Sequence, residues 1–93
     1  HLIPPSAIQA VSEVLYEGEI KYGRDNWKSI DIEEHINHAI AHLYGALAAS
    51  EEQQSVEELS HAACRVLFAL ALCRAEFHFR GWYPRKMRQY KLG

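Results

Sequence analysis

The sequence predicts an all-α domain, a small helical bundle of three main helices plus a short C-terminal helix, and three observations predict it. Apolar residues recur at helical spacing in three separate stretches. Each stretch opens on a Ser or Asp with Gln or Glu three positions on, the pattern of a capping box. Strand-like alternation, internal repeats and low-complexity segments are all lacking. The 93 residues read as one domain, 1–93, with its core at 6–80 and a basic tail at 82–93. So small a domain buries a modest share of its surface, and completion as a homo-oligomer is expected.

At 48% hydrophobic residues, with five Gly and three Pro, the chain should fold and is too apolar for intrinsic disorder. The formal net charge of -2 gives no general attraction to nucleic acid, although Arg80, Arg85, Lys86, Arg88 and Lys91 crowd the end. Cys64 and Cys73 fall on opposite faces of one predicted helix, ~13 Å apart along its axis, and cannot pair. Unpaired thiols fit a reducing, cytoplasmic setting. The longest apolar run, Val66 to Cys73, is far short of the ~20 residues of a membrane span, and no signal peptide opens the chain. Beginning at His1 rather than Met, it reads as a trimmed piece of a longer protein.

The first helix is predicted to start after Pro4-Pro5, with Ser6 as N-cap and Gln9 closing the box; Ile8, Val11, Leu15, Gly18 and Tyr22 form its stripe and Gly23 stops it. Glu13, Glu17 and Lys21 read as a solvated ladder, or else one carboxylate points into a site. The turn Lys21-Tyr22-Gly23-Arg24-Asp25-Asn26-Trp27 follows, with Gly and Asn tolerant of left-handed backbone and Trp27 placed to seal the bundle. The same residues suit a nucleotide: Lys21, Arg24 and Asn26 for phosphate or base contacts and Trp27 for stacking.

The second helix, from Asp31 to about Ala49, holds Ile32, Ile36, Ile40, Leu43 and Leu47 on one stripe, which reads as core. His35, His38 and His42 lie on another flank, with Glu34 nearby. Ser50 to Gln54 form a short polar link, so the third helix, from about Val56 to Phe79 with Ser55 and Glu58 as its capping box, should return antiparallel. Its stripe is Leu59, Ala63, Val66, Leu70, Cys73 and Phe77, and Val66 to Leu72 is apolar all round, which makes it the spine. Glu58, His61 and Arg65 share its other side. Gly81 ends it, and a basic terminal helix follows Trp82-Tyr83-Pro84.

Antiparallel pairing brings His38 and His42 toward Glu58 and His61. His38-x-x-x-His42 and Glu58-x-x-His61 have the spacings of bundle metal sites, and imidazole with carboxylate suits Zn²⁺, Mn²⁺ and related ions. The plainer alternative is that Glu58 closes the Ser55 capping box and each His is an ordinary flank residue. His35 has no partner by spacing. Neither cysteine has the polar setting of a nucleophile, and no Gly-rich phosphate loop occurs.

Leu2-Ile3-Pro4-Pro5, Lys21-Tyr22-Gly23-x-x-Asn26-Trp27, His42-Leu43 and His61-Ala62-Ala63-Cys64 running into Leu67-Phe68 together resemble the phage-type dATP/dGTP diphosphohydrolases. These are relatives of the MazG-like all-α nucleoside triphosphate pyrophosphohydrolases. The resemblance covers roughly residues 2–73. In the wider group a Glu-Glu-x-x-Glu element and a Glu-x-x-Asp element bind Mg²⁺; here Glu33-Glu34-x-x-Asn37 and Glu58-x-x-His61 are the altered counterparts. Their lower negative charge tilts the implied ion toward Mn²⁺ or another borderline ion, or else marks a site that has lost activity. The acidic, Gly-containing link of many phage relatives is replaced by Ser50 to Gln54.

The resulting expectation is an enzyme that hydrolyses a (deoxy)nucleoside triphosphate to monophosphate and pyrophosphate. A divalent ion, Mg²⁺ or Mn²⁺, would be held by Glu34, His38, His42, Glu58 and His61, with Glu34 and Glu58 in catalytic roles. The alternatives are a non-enzymatic helical interaction module using the His flank as an interface, and a small nucleic-acid-associated protein using the basic tail.

Overall fold

The computed structural model describes residues 2–74. It is all-α, as the periodicity predicts: α1 spans Pro5–Tyr22, a 3₁₀ turn spans Asn26–Ser29, α2 spans Ile32–Ala48 and α3 spans Glu52–Arg74. The continuation of the third helix to Phe79, the stop at Gly81 and the basic tail lie outside the described residues. No helix among the described residues is long and apolar enough to cross a membrane.

The helix starts differ from the capping-box reading. α1 begins at Pro5, with Pro4 in the N-cap position and no side-chain cap. Proline is preset for the first helical turn and has no N–H to satisfy there, which moves the start ahead of Ser6. Gln9 donates instead to Glu13, at 3.2 Å. At the other end the expectation holds: Gly23 takes φ 92°, and its N–H bonds the Glu19 carbonyl. In the turn the left-handed residue besides Gly23 is Asp25, at φ 67°, and not Asn26, which opens the 3₁₀ segment. α2 starts after Asp31, again with no side-chain cap. α3 starts at Glu52, within the stretch read as a link, so Ser55 and Glu58 are helical and form no capping box. Glutamine and glutamate are good helix formers, and Glu52 in the first turn complements the helix dipole.

α3 is the spine: α2 packs along it, α1 packs against it less extensively, and the 3₁₀ turn touches it. Pairing of His35 with Arg65 and of His42 with Glu58 sets α2 and α3 antiparallel, as the short link requires. A buried cluster of Ile32, Ala69 and Leu72, with Trp27 and Cys73 against it, anchors one end. On the α1 side, the Cys64 thiol donates to the Val11 carbonyl at 3.6 Å.

The buried faces of α2 and α3 are not the predicted ones. Of the α2 stripe only Ile32 is buried; Ile36, Ile40, Leu43 and Leu47 are 37%, 45%, 45% and 84% exposed. The buried residues are Ile32, His35 and Ala39, with His42 half-buried. On α3, Leu59, Val66 and Leu70 are exposed, whereas Ser60, Ala62, Cys64, Ala69 and Leu72 are buried. Small residues let the two backbones approach, and His35 and His42 of the histidine flank go inside with them, while His38 stays exposed. In α1 no residue is buried, and Ile8, Leu15 and Tyr22 of its predicted stripe are exposed.

Candidate functional site

Two groups of polar side chains occupy the α2–α3 interface. The first centres on His35, which is 0% exposed. Its Nε2–H donates to the Trp27 carbonyl at 2.9 Å. A carbonyl only accepts, so Nδ1 carries the lone pair, and it accepts from Arg65 Nη1 at 3.2 Å. Phe68 packs against this ring at 5.3 Å and stacks on Trp27 at 5.0 Å with 8° between planes. His35 therefore ties the turn to α3, through a backbone carbonyl and a cation. Burial pushes its pKa below the ordinary value; the bond to Trp27 opposes this, and the Arg65 guanidinium adds to it.

In the second group, His42 Nδ1–H donates to Glu58 Oε1 at 2.7 Å. The ring of His61 lies 5.1 Å from that of His42, and its Nδ1–H donates to the Glu57 carbonyl at 2.8 Å. With both Nδ1 positions committed, each ring keeps a lone pair at Nε2. Glu58 reaches His42 because residue 45 is glycine: a Cβ built there would overlap the Glu58 carboxylate. An isolated glycine inside a helical pattern, one turn from His42, was the available signal for this close approach.

Gly45→Ala is predicted to leave the melting temperature unchanged or raise it, because Ala is the better helix former by about 1 kcal/mol and a carboxylate on a flexible stem can turn away. The His42–Glu58 bond is lost. A crystal structure and the ¹⁵N shifts of His42 check this; an intact bond in the variant would refute it.

A cavity of about 740 Å³ opens beside both groups. The predicted turn residues Lys21, Arg24, Asn26 and Trp27 line it. So do His35, His42, His61 and Arg65, together with Glu17 from the carboxylate ladder. Arg24 is paired with Glu19 at 3.2 Å, and Lys21 lies 5.5 Å from the Tyr22 ring centre. Trp27 uses one face on Phe68, so it seals the bundle as the packing reading expects while still lining the cavity. Arg65 is half-buried and has no carboxylate at ion-pair distance among the described residues.

Glu34 and His38 stand apart. Both are exposed, they face each other at 3.9 Å one turn apart, and neither lines the cavity. Antiparallel pairing thus brings together His42, Glu58 and His61 and leaves out His38. Nor are three His, Cys, Asp or Glu side chains grouped to hold a metal ion among the described residues. The thiols add no chemistry: both are free, and burial pushes that of Cys64 up to about 11.

No curated protein and no solved structure matches the chain. The family model described as "dATP/dGTP diphosphohydrolase, N-terminal" matches residues 1–80, which contain the described residues that line the cavity. The chain belongs to the dATP/dGTP diphosphohydrolase N-terminal family.

Proposed function

We infer that the cavity binds a purine deoxynucleoside triphosphate and that the chain contributes to its hydrolysis to monophosphate and pyrophosphate. The observation that carries this reading is the convergence on one cavity of a cation with no carboxylate partner among the described residues, Arg65, and a carboxylate-oriented imidazole, His42. Arg65 and Lys21 offer charge to the phosphates. His42 Nε2 accepts a proton from water as its oxygen bonds the α-phosphorus; the bond from phosphorus to the bridging oxygen breaks, and pyrophosphate leaves with the electron pair. Glu58 is the positioning residue that holds the imidazole. Because no three metal-binding side chains are grouped among the described residues, the proposed substrate is the nucleotide as its Mg²⁺ or Mn²⁺ complex. A reducing, cytoplasmic setting suits the free thiols.

The test is chromatographic: dATP and dGTP incubated with the chain and Mg²⁺ or Mn²⁺ should yield dAMP or dGMP with pyrophosphate in equal amounts. Release of inorganic phosphate instead, or intact nucleotides after hours, would overturn the reading.

A second observation favours homo-oligomerisation. Ile36, Ile40, Leu43 and Leu47 line one exposed face of α2 and Leu59, Val66 and Leu70 are exposed on α3, an apolar surface of the kind that self-association covers. The double substitution Ile40→Glu with Leu43→Glu is predicted to convert an oligomer to monomer in light scattering behind size exclusion. A monomeric unaltered chain would contradict it.

A further inference from the structure

We propose that His35 is a positioning residue: as the neutral Nε2–H tautomer, it aims the Arg65 guanidinium into the cavity to receive a phosphate group. The proposal deepens the nucleotide reading and rests on it for the identity of the phosphate, but its geometry stands by itself.

A half-buried arginine normally acquires a carboxylate, because an uncompensated charge near low-dielectric surroundings is costly. Among the described residues Arg65 has none. Its one hydrogen bond to another side chain there is to an uncharged ring nitrogen, His35 Nδ1, at 3.2 Å. A neutral acceptor orients a guanidinium without cancelling its charge, whereas a carboxylate would do both. The cation therefore remains available to an anion, and the remaining N–H groups of its planar fork suit phosphate oxygens.

The orientation is over-determined. His35 can accept from Arg65 only because its other nitrogen carries the proton, and the Trp27 carbonyl fixes the proton there at 2.9 Å. A ring turned over would present Cδ2–H to the guanidinium and Cε1–H to the carbonyl, losing both bonds. It also cannot shift, because it is 0% exposed and lies against Phe68, which is itself stacked on Trp27. One imidazole thus joins the 3₁₀ turn, which carries the cavity-lining Asn26 and Trp27, to the cavity-lining Arg65 on α3. Disturbing either partner is felt by the other.

The experiment measures binding of inorganic tripolyphosphate by calorimetry to the unaltered chain, His35→Leu, His35→Gln, Arg65→Ala and the double variant His35→Leu with Arg65→Ala. Circular dichroism verifies that each is folded. Arg65→Ala and His35→Leu should each weaken binding about tenfold or more, and the double variant should bind no more weakly than Arg65→Ala alone, since one interaction is removed by either route. His35→Gln keeps a donor and an acceptor and should retain most of the affinity. If His35→Leu does not fold, His35→Gln and the ¹⁵N spectrum of the unaltered chain decide: Nε2 must be protonated and Nδ1 bare, with Nδ1 shifting when Arg65 becomes Ala.

Additive losses, full affinity in folded His35→Leu, or a protonated Nδ1 would each overturn the proposal. The two readings separate cleanly. Tripolyphosphate binding that follows His35 and Arg65 without any nucleotide turnover rejects the hydrolase and keeps the positioning role; turnover with binding indifferent to His35 does the reverse.

Discussion

Replacing His42 with alanine is expected to lower turnover of dATP and dGTP by about 10²- to 10⁴-fold, the range that a positioned proton acceptor supplies. Nucleotide affinity should change little, because the cations offered to the phosphates, Arg65 and Lys21, are untouched. Glu58→Gln should cost less. Its amide can still accept the Nδ1–H of His42 through oxygen, but it no longer stabilises the imidazolium that forms when Nε2 takes the proton. Free imidazole added to His42→Ala should restore part of the rate and should do nothing for the unaltered chain. Steady-state kinetics with separate kcat and KM decide the matter. A fall confined to KM would move His42 from proton transfer to substrate binding, and undiminished turnover would remove it from the site.

What could be read in the sequence divides along a physical line. Helical period depends on residue size and polarity at fixed spacing, so the three helices, the Gly23 stop and the antiparallel return were all legible. Which side of a helix faces inward is a different matter. The stripe Ile36, Ile40, Leu43 and Leu47 is bulkier than the flank carrying His35, Ala39 and His42, and periodicity favours bulk. The fold instead uses Ala39, Ala62 and Ala69 to bring α2 and α3 close, with the imidazoles bonded between them. The pairing of His42 with Glu58 was legible because both are residue types with recognisable chemistry at the right register. His35 was not, because one partner is a main-chain carbonyl eight positions back and the other is a cation. For the expected metal ligands, spacing located the side chains but not their hydrogen bonds, which engage Nδ1 of His42 and of His61 and leave Nε2 as the remaining ring nitrogen.

His35→Leu is predicted to be the most destabilising single substitution at the α2–α3 interface. The leucine fills much of the same volume, yet it leaves the Trp27 carbonyl without its donor and Arg65 without its acceptor in a place where water replaces them poorly. Two lost bonds put the cost at about 3 kcal/mol, or roughly 15 °C in melting temperature for a domain of this size. The same residue gives stability a pH dependence with a definite sign. Its folded pKa lies below the ordinary 6.5, so between those two values the unfolded chain binds more protons than the folded one. His35 thus contributes its full stability above pH 6.5 and loses it progressively as pH falls toward the folded pKa. The charged groups that act on it are Arg65 from α3 and Glu34 and His38 from α2; Arg65 and His38 disfavour its protonation and Glu34 favours it. Thermal melts at a series of pH values should show this acid-side decline in the unaltered chain and a shallower one in His35→Gln, whose amide does not titrate. Parallel curves for the two proteins would mean that the buried imidazole is not the group responsible.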